Sequence, residues 1–293
     1  MAIANLNIAI SSNHTNDLAF LEFLRAAQSG NIAGLESFLE NRSGDINNTD
    51  DLYGAAATHF AARHSQVEAL RFLIERGATL GNPTNAGFNE LHYGFNSLEI
   101  SRLIIQERPN LIDSRTENGS ALTIATYCKN FDVTNFLIEE NADVKITDRN
   151  GNSALHYLAD GDSNNVELAI SLLQRGADIN AVNQSGQSVL STAIGSGNLN
   201  ISKFLLRQSG IIIDDKAREN LDLQLLASEG FEKIAALVNQ RNIPNSSTSS
   251  SRETITKLSD EIINAAVRSS DSDSDTEQTR ERKRVSPEID TSR

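Results

Sequence analysis

The sequence predicts an all-α solenoid of repeated units, each a turn, a short helix, a longer helix and an extended link, followed by a disordered, charged C-terminal tail. Three observations predict it. His59, His92, Thr123, His156 and Ser191 recur at intervals of 33, 31, 33 and 35 residues, and a period near 33 marks a stack of identical supersecondary units. Each interval repeats one local order: a turn glycine, a short helix opener, then a longer amphipathic stretch. From residue 244 that order stops and Ser, Asp, Glu and Arg take over.

Composition sets the outer bounds. The chain has 293 residues, a net charge of −13, one cysteine, one methionine and no tryptophan. A single Cys128 rules out an intramolecular disulfide framework and suits a reducing compartment. Apolar runs such as Ile211–Ile213 fall far short of the roughly 20 residues that cross a bilayer. The first 20 residues lack an early Lys or Arg, so no cleavable signal peptide is expected. Residues 245–293 carry 8 Lys/Arg and 10 Asp/Glu, which leaves a net of −11 on the rest. Phosphate neutralisation dominates nucleic-acid affinity, so an acidic body is not expected to bind DNA or RNA directly.

In chain order, residues 1–16 read as a polar leader. Residues 17–47 read as an N-terminal capping helix pair, with Phe20, Leu21, Phe23 and Leu24, then Leu35, Phe38 and Leu39 at helical spacing. Residues 48–214 hold five repeats: Asp51–Ala78, Pro83–Leu111, Glu117–Val144, Arg149–Ile179 and Gln184–Ile211. Each opens near a glycine (54, 87, 119, 151 or 186), where a tight turn needs φ > 0. Ser120, Ser153 and Ser188 then suit an N-cap, accepting a hydrogen bond from a first-turn N–H. A longer helix follows about ten residues on, with Leu70, Leu73 and Ile74 and their counterparts as its apolar stripe. Gly or Asn past its end, as at Gly77, Asn141 and Gly176, suits a left-handed C-cap. One such unit buries too little apolar surface to offset its chain entropy, so neighbours must cover both faces. Residues 215–243 read as a C-terminal capping pair. Residues 244–293 read as a linker, a short helix over 253–268 and a disordered tail.

The strings Gly151-Asn152-Ser153-Ala154-Leu155-His156 and Leu172-Leu173-Gln174-Arg175-Gly176-Ala177-Asp178-Ile179-Asn180-Ala181 resemble the ankyrin repeat's Gly-x-Thr-Pro-Leu-His and Leu-Leu-x-x-Gly-Ala-Asp-Val-Asn-Ala. The resemblance covers about residues 17–240 and implies a helix–loop–helix–hairpin stack that binds other proteins on a concave face. It gives the three periodic histidines a hydrogen-bonding role at the hairpin rather than a catalytic one. Several units depart from the pattern. Proline never follows the N-cap; Ala57, Glu90, Ala121, Ala154 or Val189 stands there. The unit at His59 has Ala56 where an N-cap hydroxyl belongs. The unit at His92 is two residues short near Asn96 and has Pro109 after its second helix, while two extra residues fall near Gly161. Leu172 and Asp178-Ile179-Asn180 also resemble the target of the asparaginyl hydroxylase that modifies ankyrin proteins.

The resemblance places partner contacts at the hairpin tips and at the far ends of the short helices. Here these positions are Tyr53, Arg63, His64, Phe88, Glu117, Asn118, Tyr127, Arg149, Asn150 and Gln184, with Asp160, Ser185 and Ser196 among their neighbours. Tyr53, Phe88 and Tyr127 stand out because aromatic side chains are enriched at interface hot spots. No catalytic residue, cofactor or metal is expected. His14 and His64 lack ligand partners at zinc spacing, and no glycine-rich loop precedes a helix. The expectation is a non-enzymatic, cytoplasmic, monomeric scaffold for an unidentified protein partner, without nucleic-acid or membrane contact.

The tail supports two alternatives. Ser270, Ser272 and Ser274 lie beside acidic residues and resemble acidophilic kinase sites. Arg280, Arg282, Lys283 and Arg284 resemble a nuclear-import signal, which implies an ankyrin regulator that enters the nucleus. The polar tail also resembles the export signals of bacterial effectors that lack an N-terminal signal, which implies delivery into a host cell and binding of a host protein.

Overall fold

The computed structural model describes residues 18–41, 45–161, 165–227 and 231–241. The leader, the tail with Ser270 to Arg284, and the helix expected over 253–268 lie outside the described residues.

Helices come in pairs. The first is α1 (Leu18–Ser29) with α2 (Ile32–Asn41), followed by α3 (Ala57–Arg63) with α4 (Val67–Glu75). Then come α5 (Glu90–Tyr93) with α6 (Leu98–Glu107), and α7 (Ala121–Tyr127) with α8 (Phe131–Glu139). The later pairs are α9 (Ala154–Ala159) with α10 (Val166–Gln174), and α11 (Val189–Gly195) with α12 (Leu199–Arg207), before α13 (Asp215–Ala227). Two rows result. An inner row packs α1, α3, α5, α7, α9, α11 and α13 in succession; an outer row packs α2, α4, α6, α8, α10 and α12. Leu70, Leu73, Ile100, Ile104, Leu137, Leu172, Ile201 and Leu205 face the seam between the rows, each at most 4% exposed. Burying such a side chain is worth about 1.5–3 kcal/mol, and every unit shares its seam with the next.

The sequence groups 215–243 as one capping pair. In the structure α13 belongs to a first compact unit ending at Phe231, and α14 (Glu232–Arg241) begins a second. α14 buries Ile234 and Val238 four residues apart, one face of a helix.

The hairpins are short. Among the described residues they hold isolated antiparallel bridges at Thr49–Ala56, Thr116–Gly119, Thr147–Ser153 and Val182–Ser188, with no extended strand. Adjacent tips are zipped by main-chain bonds: Asn85 N to Tyr53 O at 2.8 Å, Arg149 N to Glu117 O at 2.7 Å and Gln184 N to Asn150 O at 2.9 Å. Gly151 shows why a glycine is needed there. Its φ is +77°, and a Cβ on it would lie 3.1 Å from Gln184 N and 3.2 Å from Asn183 Cα. Gly151→Ala is therefore expected to cost about 1–2 kcal/mol, from left-handed strain and hairpin displacement. A urea midpoint equal to wild type would contradict this.

The three periodic histidines act as the resemblance implied. His59 Nδ1 accepts the Ala56 N–H at 3.1 Å and Nε2 donates to Asn82 O at 2.9 Å. His92 and His156 do the same with Asn89 and Ser114, and with Ser153 and Gln187. Each ring thus closes its own helix start and clips the next hairpin. Thr123 substitutes with a 3.2 Å bond from Oγ1 to Ile146 O. Ser191 reaches only Ser188 O within its own turn; there Ser188 Oγ bonds Asp214 instead.

The shortened unit has a mechanical solution. α5 is four residues long and continues as a 3-10 turn over Gly94–Asn96. The 3-10 rise of about 2.0 Å per residue covers more length with fewer residues than an α-helix. Gly94 permits it, since a Cβ there would meet Ile100 Cγ2 at 2.9 Å. Ser101 Oγ then donates to Gly94 O at 3.2 Å. Pro109–Leu111 forms a second 3-10 turn, tied back by Arg108 Nη1 to Leu80 O at 2.9 Å.

Candidate functional site

The residues expected at the interaction face separate into three groups. Glu117, Arg149, Asn150 and Gln184 are exposed at the tips. Arg149 Nη1 lies 3.4 Å from Glu117 Oε2, an exposed pair of small energetic weight. Tyr53, Arg63, His64 and Tyr127 are half-buried. Arg63 sits over the Phe95 ring at 5.4 Å. Burial, reinforced by Arg63, holds the His64 imidazole below its ordinary pKa.

Phe88 and Asn118 are corrections. Phe88 is 4% exposed and Asn118 8%. Phe88 follows the turn glycine rather than preceding it, and its ring packs on His92 at 5.7 Å and Tyr93 at 5.4 Å. It is core. Asn118 turns inward because Gly119 is joined directly to the N-cap Ser120, whereas Asn152 separates Gly151 from Ser153. The resulting bridge is the tight Thr116–Gly119 closure, with Asn118 N donating to Thr116 Oγ1 at 3.0 Å. The trio Tyr53, Phe88 and Tyr127 is therefore not a shared exposed surface.

The structure adds a groove that the reading by tips and helix ends only grazed. It has a volume of about 670 Å³ and runs between the hairpins of the last two repeats and helices α9, α11 and α13. Asp160, Ser185, Asn150 and Ser196 line it, as do Asn152, Tyr157, Asn183, Gln187, Thr192 and Asn220. Its carboxamides are chained: Asn183 Nδ2 donates to Asn152 Oδ1 at 2.8 Å and to Gln187 Oε1 at 3.2 Å. Tyr157 Oη donates to Asp148 Oδ2 at 2.5 Å, and burial together with that carboxylate raises the phenol's pKa. Tyr127 meets Tyr157 edge-on at 5.1 Å. Burial lowers the pKa of His156, against its bond to Gln187.

Cys128 is a half-buried thiol whose pKa burial pushes up to about 11. A nucleophilic cysteine needs the opposite shift. Among the described residues no three His, Cys, Asp or Glu side chains cluster to hold a metal. No described helix is long and apolar enough to cross a membrane.

A family model described as ankyrin repeats (three copies) matches residues 23–113 and 95–183, which together cover more than half of the chain. The chain is similar to the human neurogenic locus notch homolog protein 1, at 31% identity over 148 residues, covering 50% of this chain and 6% of that protein. It matches human neurogenic locus notch homolog protein 2 at 33% over 131 residues, covering 44% and 5%. The chain thus spans only about one-twentieth of these relatives' length. Its fold resembles a solved chain in the complex of the predatory endopeptidase Bd0816 from Bdellovibrio bacteriovorus with the immunity protein Bd3460. That likeness has a TM-score of 0.56 and 19% identity, over 64% of this chain and 98% of that one. Period, hairpin-clipping histidines, paired helix rows and the matched model agree: the chain belongs to the ankyrin-repeat family.

Proposed function

We propose that the protein is a non-enzymatic scaffold that holds a protein partner along its hairpin tips and the adjoining groove. The observation that carries this reading is continuity. Main-chain bonds join the tips of neighbouring units at Glu117–Arg149 and Asn150–Gln184, and the groove continues from them onto α11 and α13. Such a surface suits an extended protein contact better than a small substrate. The periodic histidines are committed to hairpin bonds, and the one cysteine is a protonated thiol at neutral pH, which supports binding over catalysis. We place the protein in the cytoplasm as a monomer. Nuclear import and export as an effector rest on the tail sequence alone; reporter fusions with and without residues 245–293 separate them.

The scaffold reading is tested by affinity capture with Tyr53, Tyr127 and Gln184 replaced together by alanine. Phe88 is left intact because truncating a buried Phe costs about 3–5 kcal/mol of stability. Partner recovery is expected to fall about tenfold at unchanged helical content. Equal recovery would defeat the reading.

A further inference from the structure

Resting on that reading, we propose that the groove selects an extended, basic peptide segment and seats one arginine or lysine at the corner formed by Tyr157 and Asp160. Tyr157 lies on α9 and Asp160 caps its C-terminal end three residues on, and both line the groove. The Tyr157 phenol is turned back onto Asp148, which is 7% exposed and also accepts Asn150 N and Asn152 N at 2.9 and 2.8 Å. The phenol oxygen is thus committed, and the ring lines the groove together with the exposed carboxylate of Asp160, a pairing that attracts a cation through the π system and through charge. Among the described residues neither Asp148 nor Asp160 belongs to an ion pair. A cation already comes close from within the chain: Lys129 Nζ lies 2.9 Å from where a Cβ on Gly161 would stand.

Lys216 Nζ donates to Ser185 O at the hairpin tip, and the remaining side chains that line the groove are uncharged. Asn152 and Asn183 are committed to each other, to Gln187 and to Tyr157, which leaves the Asn150 carboxamide, the Gln187 amide nitrogen and the Asn220 side-chain carbonyl to meet the groups of an extended main chain. Asn220 already shows the mode within the protein, donating to the main-chain Ser191 O at 2.8 Å. The amides thus hold the backbone and the corner reads one side chain. An acidic or phosphorylated segment meets the Asp160 carboxylate and a body of net charge −11, so it is disfavoured from first encounter.

The experiment uses the full chain and fluorescence anisotropy with three fluorescein-labelled nonapeptide pools. The flanking positions are degenerate among Gly, Ala, Ser, Asn and Gln, and the centre is arginine, its neutral isostere citrulline, or glutamate. The arginine pool is expected to bind about tenfold more tightly than the citrulline pool, and the glutamate pool more weakly than both. Asp160→Asn should bring arginine and citrulline to parity with an unchanged melting curve, since Asp160 is exposed, and Tyr157→Ala should also erase the preference. Lys129→Ala should strengthen arginine binding by removing a competing ammonium. Equal binding of the arginine and citrulline pools, tighter binding of the glutamate pool, or no binding of any pool overturns the proposal. In each of those cases the scaffold reading survives if the alanine triple variant still loses its captured partner.

Discussion

Glu90→Leu is expected to destabilise the stack by about 3 kcal/mol or more, the largest effect of any single polar substitution in the repeats. Glu90 is fully buried at the start of α5. Its Oε1 accepts Thr58 Oγ1 at 2.7 Å and its Oε2 accepts Gly81 N at 2.8 Å, while His59 Nε2 stands 3.7 Å away. Three segments meet on this carboxylate: α3, the link after α4, and α5. Removing the acceptor strands the buried Thr58 hydroxyl and the partly buried Gly81 N–H, and a donor left unmade costs about 1–3 kcal/mol. Leucine also fits the cavity in volume but not in shape. Glu90→Gln should cost less, because one oxygen remains to accept. Pairing Glu90→Leu with Thr58→Val should recover part of the loss, since one of the orphaned donors disappears with it. Urea midpoints of wild type, Glu90→Leu, Glu90→Gln, Thr58→Val and the double variant check this. A Glu90→Leu midpoint within error of wild type, or strict additivity in the double variant, would show that the carboxylate is not shared in this way.

Glu90 also marks where the sequence stops being legible. The period, the N-cap serines and the C-cap Asn141 (φ 68°) were readable because each is a local rule written in one residue type. Glu90 was readable only as the absence of proline. Its burial goes with the bonds that converge on it from α3 and from the link after α4, contacts that no local rule predicts. Phe88 misled because it follows the turn glycine and so faces the core, a direction that residue type alone does not give. Tip polarity misled at Asn118 for a similar reason, since one residue fewer between glycine and N-cap reverses which side the turn presents. The groove was half legible. Asn150, Asp160, Ser185 and Ser196 occupy tip or helix-end positions in the repeat, but Asn152 and Gln187 follow the glycine. Asn220 lies on α13, outside the period, so no spacing rule pointed to it.

Acid should weaken this protein well above the pH at which its carboxylates titrate. Burial holds His92 at a pKa of about 4, against its bond to Ser114 and with His59 contributing in the same direction as burial. In the unfolded chain a histidine titrates near 6.5. Between those values the unfolded state binds a proton that the folded state refuses, so stability rises with pH across the window. The contribution is complete above about pH 7 and lost progressively on descent toward 4, amounting to about 2 kcal/mol by pH 5 and about 3 kcal/mol in all. His156, lowered for the same reason, adds in the same direction. Asp50 acts oppositely, because burial raises its carboxyl pKa from 3.8, so the comparison belongs between pH 7.5 and pH 5, where the histidine contribution dominates. Geometry explains why His92 cannot accept the proton: Nδ1 must receive the Asn89 N–H while Nε2 donates to Ser114 O. Protonation would set two donors against each other at a site 1% exposed. The protein also carries its own control. Thr123 fills the equivalent place with a hydroxyl that clips Ile146 O and does not titrate, so His92→Thr should flatten most of the pH dependence while lowering stability at pH 7.5. Urea midpoints that stay level from pH 7.5 to pH 5 in the wild type, or an undiminished slope in His92→Thr, would place the acid sensitivity elsewhere.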